Sequence, residues 1–394
     1  MIIETKKENL MIKTIKKHKR GICGAFLVLL LPSVACIAAY RTHTEIDSGM
    51  FFAAYPNIAG TRMDGCDACH ISIVAPPPSE KGDFPVRLSS CDSCHIITDY
   101  GRKPGETINA YGKDYLGAGR NELAFKAIAE SDSDGDGWSN AKELEAATNP
   151  GDPSSNPGMK LAPHKVITFD ELKEKQTSVY DQTIFVNVSK SKDGDSYSDL
   201  RGFMLYDVLK YAGISESASS VDVISIDGYA ATFSIEQLKR SYPQAVPVFG
   251  FDKETFGECG WVRYGSKNLK EGVPLPDANI LLTYEINGEE YEPAKINEQG
   301  RLSGAGPFRV VAPQMKNPGL PDNSSKATAE CAMITPEAYR YNRGYEKNSD
   351  YCVKSVIAIR VKPLPEGSID IDWPGFAEKA ITNKEIVVFG ALRE

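Results

Sequence analysis

The sequence predicts a multidomain chain in which a small, mainly helical and irregular segment precedes an α+β domain. Three observations lead there. At 394 residues the chain exceeds what one small core can hold. Residues 149–158 are crowded with Asn, Pro, Gly and Ser and have little to bury, which marks a seam. Before that seam long apolar runs are few, whereas from about Val166 short alternating apolar segments and turns take over. The expected parts are a leader over residues 1–40, a small first domain over 41–158, and the α+β domain over 159–394.

The leader comes first. Residues 6–20 carry a run of lysines ending at Arg20, and residues 21–40 carry no charge, with Phe26-Leu27-Val28-Leu29-Leu30-Leu31 the most apolar part. A basic start before an apolar run reads as a secretion signal or a membrane anchor. Pro32 and Ser33 break the run, and Ser33-Val34-Ala35 supplies small residues for cleavage before Cys36, so removal is favoured over spanning. Cys36 is also the candidate for a lipid-bearing first residue, although Ser33 stands where a leucine is expected. The chain is thus expected to be exported, to the periplasm, outer membrane or cell surface. Membrane contact is expected only through the leader or a lipid on Cys36.

Two copies of Cys-x-x-Cys-His follow, Cys66-Asp67-Ala68-Cys69-His70 and Cys91-Asp92-Ser93-Cys94-His95. Two thiols a short helical turn apart can form thioethers with the vinyl groups of a haem, and the adjacent imidazole can ligate its iron. A structural zinc or a thiol redox pair would use the cysteines but leave each following histidine unexplained. Two haem c groups are therefore expected. They would staple a segment that cannot make much of a core from its own side chains. With 20 residues between His70 and Cys91, both irons would belong to one fold. Candidates for the distal ligands are His43, His164 and Met63, an open site being the alternative.

Next comes Asp132-Ser133-Asp134-Gly135-Asp136-Gly137-Trp138-Ser139-Asn140-Ala141-Lys142-Glu143, a full match to the twelve-residue calcium loop. The expected ligands are the carboxylates of Asp132, Asp134 and Asp136, the carbonyl of Trp138, the side chain of Asn140 and a bidentate Glu143. Gly137 permits the sharp turn. Apolar periodicity predicts flanking helices over residues 121–130 and 141–148. A single site in an exported protein reads as structural calcium.

In the last part, residues 183–188, 221–226 and 280–284 read as strands, and Asn287-Gly288 as a hairpin turn. Residues 203–211 and 234–240 read as helices, the second opened by a capping box of Ser234 and Gln237. Asp193-Gly194-Asp195-Ser196-Tyr197-Ser198-Asp199 reads as an acidic turn. Of the nine cysteines, three lie beyond the leader and the motifs. An oxidising compartment would bridge two of them, and proximity selects Cys331 with Cys352, leaving Cys259 odd.

The first domain resembles multihaem c-type cytochromes of metal-respiring and anaerobic bacteria. The likeness rests on Ala54-Tyr55-Pro56, Gly60-Thr61, both Cys-x-x-Cys-His motifs, Asn109-Ala110-Tyr111-Gly112, and the calcium loop with Pro150-Gly151-Asp152. The loop is also similar to those of thrombospondin-type-3 repeats. The stretches Gly202-Phe203-Met204-Leu205-Tyr206-Asp207-Val208-Leu209, Ser225-Ile226-Asp227-Gly228-Tyr229 and Gly306-Pro307-Phe308-Arg309-Val310-Val311-Ala312-Pro313 resemble the molybdopterin-binding domain of the sulfite oxidase family. That family ligates molybdenum through a cysteine from a segment that here, over residues 183–200, contains none. Molybdopterin is therefore not expected, and Arg309 is expected in a structural ion pair.

Charge narrows the partners. Net charge is −8, and the first 35 residues hold seven Lys or Arg and two Glu, so a chain cut before Cys36 carries −13. Such a surface repels nucleic acid and suits a basic redox protein as donor or acceptor. No phosphate-cradling glycine loop, nucleophile elbow or Ser-His-Asp arrangement is present, so no catalytic residue is expected. The expectation is an exported dihaem electron carrier whose last domain docks or spaces. The alternatives are a molybdopterin oxidoreductase draining electrons to its own haems, and a calcium-dependent binding module.

Overall fold

Asparagine caps decide where two of the helices begin. The computed structural model of the chain describes residues 46–58, 63, 108–175, 179–189, 194–226, 229–248, 256–264, 266, 269–296, 302–371, 373 and 376–393. Helix α1 (Ile46–Ala54) is followed by α2 (Ala110–Gly117), which starts at Asn109, whose side chain accepts from the Gly112 N–H at 2.8 Å. Helix α3 (Glu122–Ala127) starts at Asn121, which accepts from the N–H groups of Leu123 and Ala124. Each cap satisfies donors that the first helical turn leaves unpaired. Helix α4 (Asn140–Glu145) closes the set. Both helices around the acidic loop are shorter than their apolar periodicity predicts. The chain turns at Ile128–Glu130 into the loop, and at the other end Thr148 folds back, its N–H and hydroxyl both donating to the Glu143 carbonyl.

These helices share a small aromatic core of Phe51, Ile58, Met63, Tyr111, Tyr115, Ala124, Phe125, Ile128 and Leu144. Tyr115 and Phe125 stack with ring centroids 4.0 Å apart and planes 8° from parallel. The Tyr115 hydroxyl donates to Asp47 at 2.9 Å, and Arg120 holds the same carboxylate at 2.6 Å. That guanidinium keeps the Asp47 carboxyl below its ordinary value, against the effect of burial. Residues before and after the motif-bearing stretch thus belong to one core.

After a series of turns over residues 149–159 the chain becomes rich in strands. In order they are β1 (Lys160–Leu161), β2 (His164–Thr168), β3 (Tyr180–Val186), β4 (Ser196–Met204), β5 (Ser220–Ser225), β6 (Ala230–Ser234), β7 (Arg263–Tyr264) and β8 (Leu281–Ile286). Then come β9 (Glu289–Glu290), β10 (Lys295–Ile296), β11 (Leu302–Ser303), β12 (Arg309–Val311), β13 (Val356–Lys362), β14 (Ser368–Ile369) and β15 (Glu385–Gly390). One sheet has the order β2-β15-β13-β5-β6, with β13 and β15 parallel and the other pairs antiparallel. A second follows β12-β8-β4-β3, with β7 beside β4 and β9 beside β8. The chain therefore has mixed α and β content.

The main core lies between these sheets. Ile167, Val221, Val223, Phe233, Ile359, Val361 and Val388 of the first meet Phe203, Leu282, Tyr284 and Val310 of the second, joined by Leu205, Val208 and Leu209 of α6 (Leu205–Ala212). Helix α5 (Phe169–Lys175) adds Phe169 and Leu172 to the same core. The opposite face of the first sheet is covered separately by Trp373, Ala377 and Ala380, the last two on a helix over Ala377–Thr382. The two-residue alternation of strand side chains puts Val223 on one face and Ile224 on the other, both buried.

The expected strands over 183–188, 221–226 and 280–284 coincide with most of β3, β5 and β8. Asn287 and Gly288 turn the β8–β9 hairpin with φ of 53° and 87°, as a primed turn requires. Ser234 and Gln237 form the capping box of a short helix over Ile235–Leu238. Three expectations need correction. The helix expected from Phe203 starts at Leu205, because Phe203 and Met204 are still paired with Leu282 and Leu281 in β4. The acidic run is not a turn as a whole: Gly194 and Asp195 lie outside any helix or strand, Ser196–Asp199 enter β4, and Asp193 lies outside the described residues. The disulfide joins Cys259 to Cys331, and Cys352 is the buried free thiol. Among the described residues no helix is long and apolar enough to cross a membrane.

Candidate metal centre

The loop between α3 and α4 wraps backbone donors around its first acid. Asp132 Oδ1 accepts from the N–H groups of Gly135 (2.8 Å) and Asp136 (3.1 Å), and Oδ2 accepts from Gly137 (2.8 Å). Gly135 and Gly137 make this possible at φ of 82° and 98°. The bond from Gly137, followed by those from Gly135 and Asp136, holds the Asp132 carboxyl below its ordinary value. Asp136 Oδ1 accepts from the Trp138 N–H at 2.9 Å, and Asp134 Oδ1 from the Asp136 N–H at 3.3 Å.

Carboxylate oxygens of Asp132, Asp134 and Asp136 lie within 4.8 Å of one another. Glu143, on α4, is 0 % exposed. Neither of its carboxylate oxygens meets a protein donor, nor do the buried Oδ2 atoms of Asp134 and Asp136. Burial and the neighbouring Asp134, Asp136 and Asp132 push the Glu143 carboxyl up to about 9. Burial, then the Asp136 charge, pushes Asp134 up to about 6. Buried acceptors with no donor are rare because each forfeits its hydration. A hard divalent cation with oxygen ligands fits this set.

Asn140 sits differently from the other expected ligands. It is 0 % exposed, its Nδ2 donates to the Ile128 carbonyl at 2.7 Å and to Ser133 Oγ at 2.9 Å, and its Oδ1 accepts from the Ser133 N–H at 3.2 Å. The amide therefore stitches the loop to the end of α3. Ser133 Oγ in turn donates to Asp114 on α2 at 2.7 Å. Neither Ser133 nor Asp114 stands out in the sequence, since neither belongs to the ligand spacing.

The haem-motif residues Cys66, Cys69, His70, Cys91, Cys94 and His95 lie outside the described residues, as do His43, the leader and Cys36. Met63 is 2 % exposed within the aromatic core. His164 is exposed at the start of β2, opposite Phe389, with its ring edge toward Phe376 and Nδ1 3.4 Å from the Ala162 carbonyl. Its neighbours all belong to the strand-rich part.

That part holds two further polar sites missed in the sequence. Asp322 is buried with Lys347 at 2.6 Å, and next to them Asp195 accepts from the N–H groups of Val188 (2.8 Å) and Asp322 (3.0 Å). Burial pushes the Asp195 carboxyl up to about 8. Every carboxylate oxygen here has a donor, which makes the cluster an internal brace. Arg309 makes no ion pair among the described residues, contrary to expectation. Its Nε is buried without a hydrogen-bond partner, and its charge opposes the rise that burial imposes on the Cys352 thiol. A cavity of about 320 Å³ beside β3 and β4 is lined by Asp181, Thr183, Asp199, Arg201 and Glu285, but Arg201 is already spent on Asp181 and Glu285. In comparison with known proteins, the chain matches no family model and no curated protein.

Proposed function

We propose that this protein is an exported electron carrier with two covalently bound haems, braced by one structural calcium ion. The pair of Cys-x-x-Cys-His motifs is the observation that carries the reading. Cys66, Cys69 and His70 hold one haem, and Cys91, Cys94 and His95 the other. Bound there, the haems supply one-electron exchange, so no acid, base or nucleophile is required. The stretch that bears them leaves from and returns to one small aromatic core, which is what a stapled segment needs. The Cys259–Cys331 disulfide agrees with an oxidising, exported setting.

Asp132, Asp134, Asp136 and Glu143 hold the calcium, with the Trp138 carbonyl. Asn140 is reassigned from ligand to brace of the loop. The second part serves as an α+β docking or spacing domain, in keeping with a sequence resemblance to a molybdopterin-binding domain that covers scaffold residues and lacks the metal-binding cysteine. Haem stoichiometry tests the reading: Cys66→Ala with Cys69→Ala should remove one haem equivalent in a pyridine haemochrome assay, and Cys91→Ala with Cys94→Ala the other. Full haem content in both double variants would overturn it.

A further inference from the structure

The seam of residues 149–158 is rich in chain breakers, yet it does not behave as a free tether. Thr148 and Pro150 are buried. Thr148 donates twice to the carbonyl of Glu143, the last acid of the metal loop, at 2.8 Å through its N–H and 3.2 Å through its hydroxyl. Gly151 lies against the side chain of Asn109, the cap of α2, so closely that a Cβ there would come within 2.3 Å of it. At the far end, the indole of Trp138, the loop's carbonyl-donating residue, stands 3.6 Å from where a Gly158 Cβ would be. Between these points the segment is laced by its own bonds: Ser155 Oγ accepts from the Asn149 N–H at 3.0 Å, Asp152 N–H donates to the Asn149 carbonyl at 3.1 Å, and Met159 N–H donates to the Asn156 carbonyl at 3.0 Å. Directly beyond, Ala162 N–H donates to the Ile369 carbonyl at 2.8 Å as β1 runs parallel to β14.

One end of the connection is therefore hydrogen-bonded to the metal loop through the Glu143 backbone carbonyl, and the other lies beside the Trp138 indole. We propose that the loop is a cation-dependent clamp. With calcium bound, Glu143 and Trp138 are fixed and so is the 149–158 connection. Loss of the ion loosens this connection first, while the sheets beyond it keep their cores. For an electron carrier this would set how the haem-bearing part is held to the rest of the chain. The inference rests on the calcium assignment above, although its geometry is independent of the haems.

Amide hydrogen exchange on the full exported protein, in calcium chloride and in a calcium chelator, tests it. Calcium binding is measured on the same preparation by calorimetry. Amides of Asn149, Asp152, Ser155 and Met159 should exchange about tenfold faster or more on chelation, whereas those of β5 and β13 keep their rates, because protection follows the local opening free energy. Trp138→Ala keeps the backbone carbonyl and should leave the amides of Asn156, Gly158 and Met159 fast even in calcium. Calcium binding with unchanged exchange in the connection would overturn the clamp and leave the metal site standing. Absence of calcium binding would overturn both.

Discussion

Glu143 combines complete burial with two carboxylate oxygens that no protein donor reaches, and the charges of Asp134, Asp136 and Asp132 act on it. In cation-free protein burial, then the neighbouring aspartates, push its carboxyl up to about 9 from the ordinary 4.5. Between those values the folded state holds a proton that the unfolded state has lost, so stability falls as pH rises through the window. Calcium held there as proposed would take the ionised form and remove this slope: its stabilisation is present above the unfolded value and lost below it. Melting temperatures at about pH 5 and about pH 8 should fall with pH in chelator and stay level in calcium, so that the calcium-induced difference grows with pH. Glu143→Gln should weaken calcium binding on the order of 100-fold, since ligand charge sets affinity in such loops. In chelator the same variant should be more stable than the parent by about 1–3 kcal/mol, the cost of an unsatisfied buried group. A Glu143→Gln variant less stable than the parent in chelator would contradict the burial argument. The acids were legible from spacing alone. The bracing role of Asn140 was not, because a ligating oxygen and a hydrogen-bonded amide look identical in sequence.

At the scale of elements, β3 ends its sheet and would expose an open edge. Two side-chain amides take the place of a neighbouring strand. Gln244 donates to the Thr183 carbonyl (2.9 Å) and accepts from the Phe185 N–H (3.1 Å). Asn348 continues the row, donating to the Phe185 carbonyl (2.9 Å) and accepting from the Asn187 N–H (2.7 Å). Asn348→Leu would leave buried backbone groups unpaired and should cost about 3 kcal/mol in denaturant unfolding, with a greater tendency to associate through the bared edge. A loss below about 0.5 kcal/mol would show that the amide is not needed there. Strands such as β5 and the Ser234 capping box were readable because their signals are local. The edge shield was not, since Asn348 lies 163 residues from Phe185. Helix α6 began later than its apolar pattern suggested because pairing of Phe203 with Leu282 overrode propensity.

Across the whole molecule, the disulfide shows where proximity in sequence misleads. Cys331 is only 21 positions from Cys352, yet it bridges to Cys259 across 72. Phe256, Trp261 and Tyr339 pack with Phe185 and Tyr197 in one aromatic cluster, which draws the segments carrying Cys259 and Cys331 together, whereas Cys352 is enclosed among Ile184, Val186 and Val311. Closing so long a loop should be worth about 4 kcal/mol on chain entropy. Replacing both Cys259 and Cys331 by Ser should lower unfolding stability by an amount of that order, and Cys352 should react with a thiol reagent only on unfolding. The change of pattern near Val166 was legible as a change from helices to strands, and an aromatic core precedes it while the two-sheet core follows it. The proposed function requires iron porphyrin tethered at both N-terminal motifs. A reduced-minus-oxidised visible spectrum taken with the intact mass of the exported protein tests it most directly. The prediction is Soret and α bands, with a mass exceeding the mature polypeptide by two haems; a colourless protein weighing only its amino acids would contradict it.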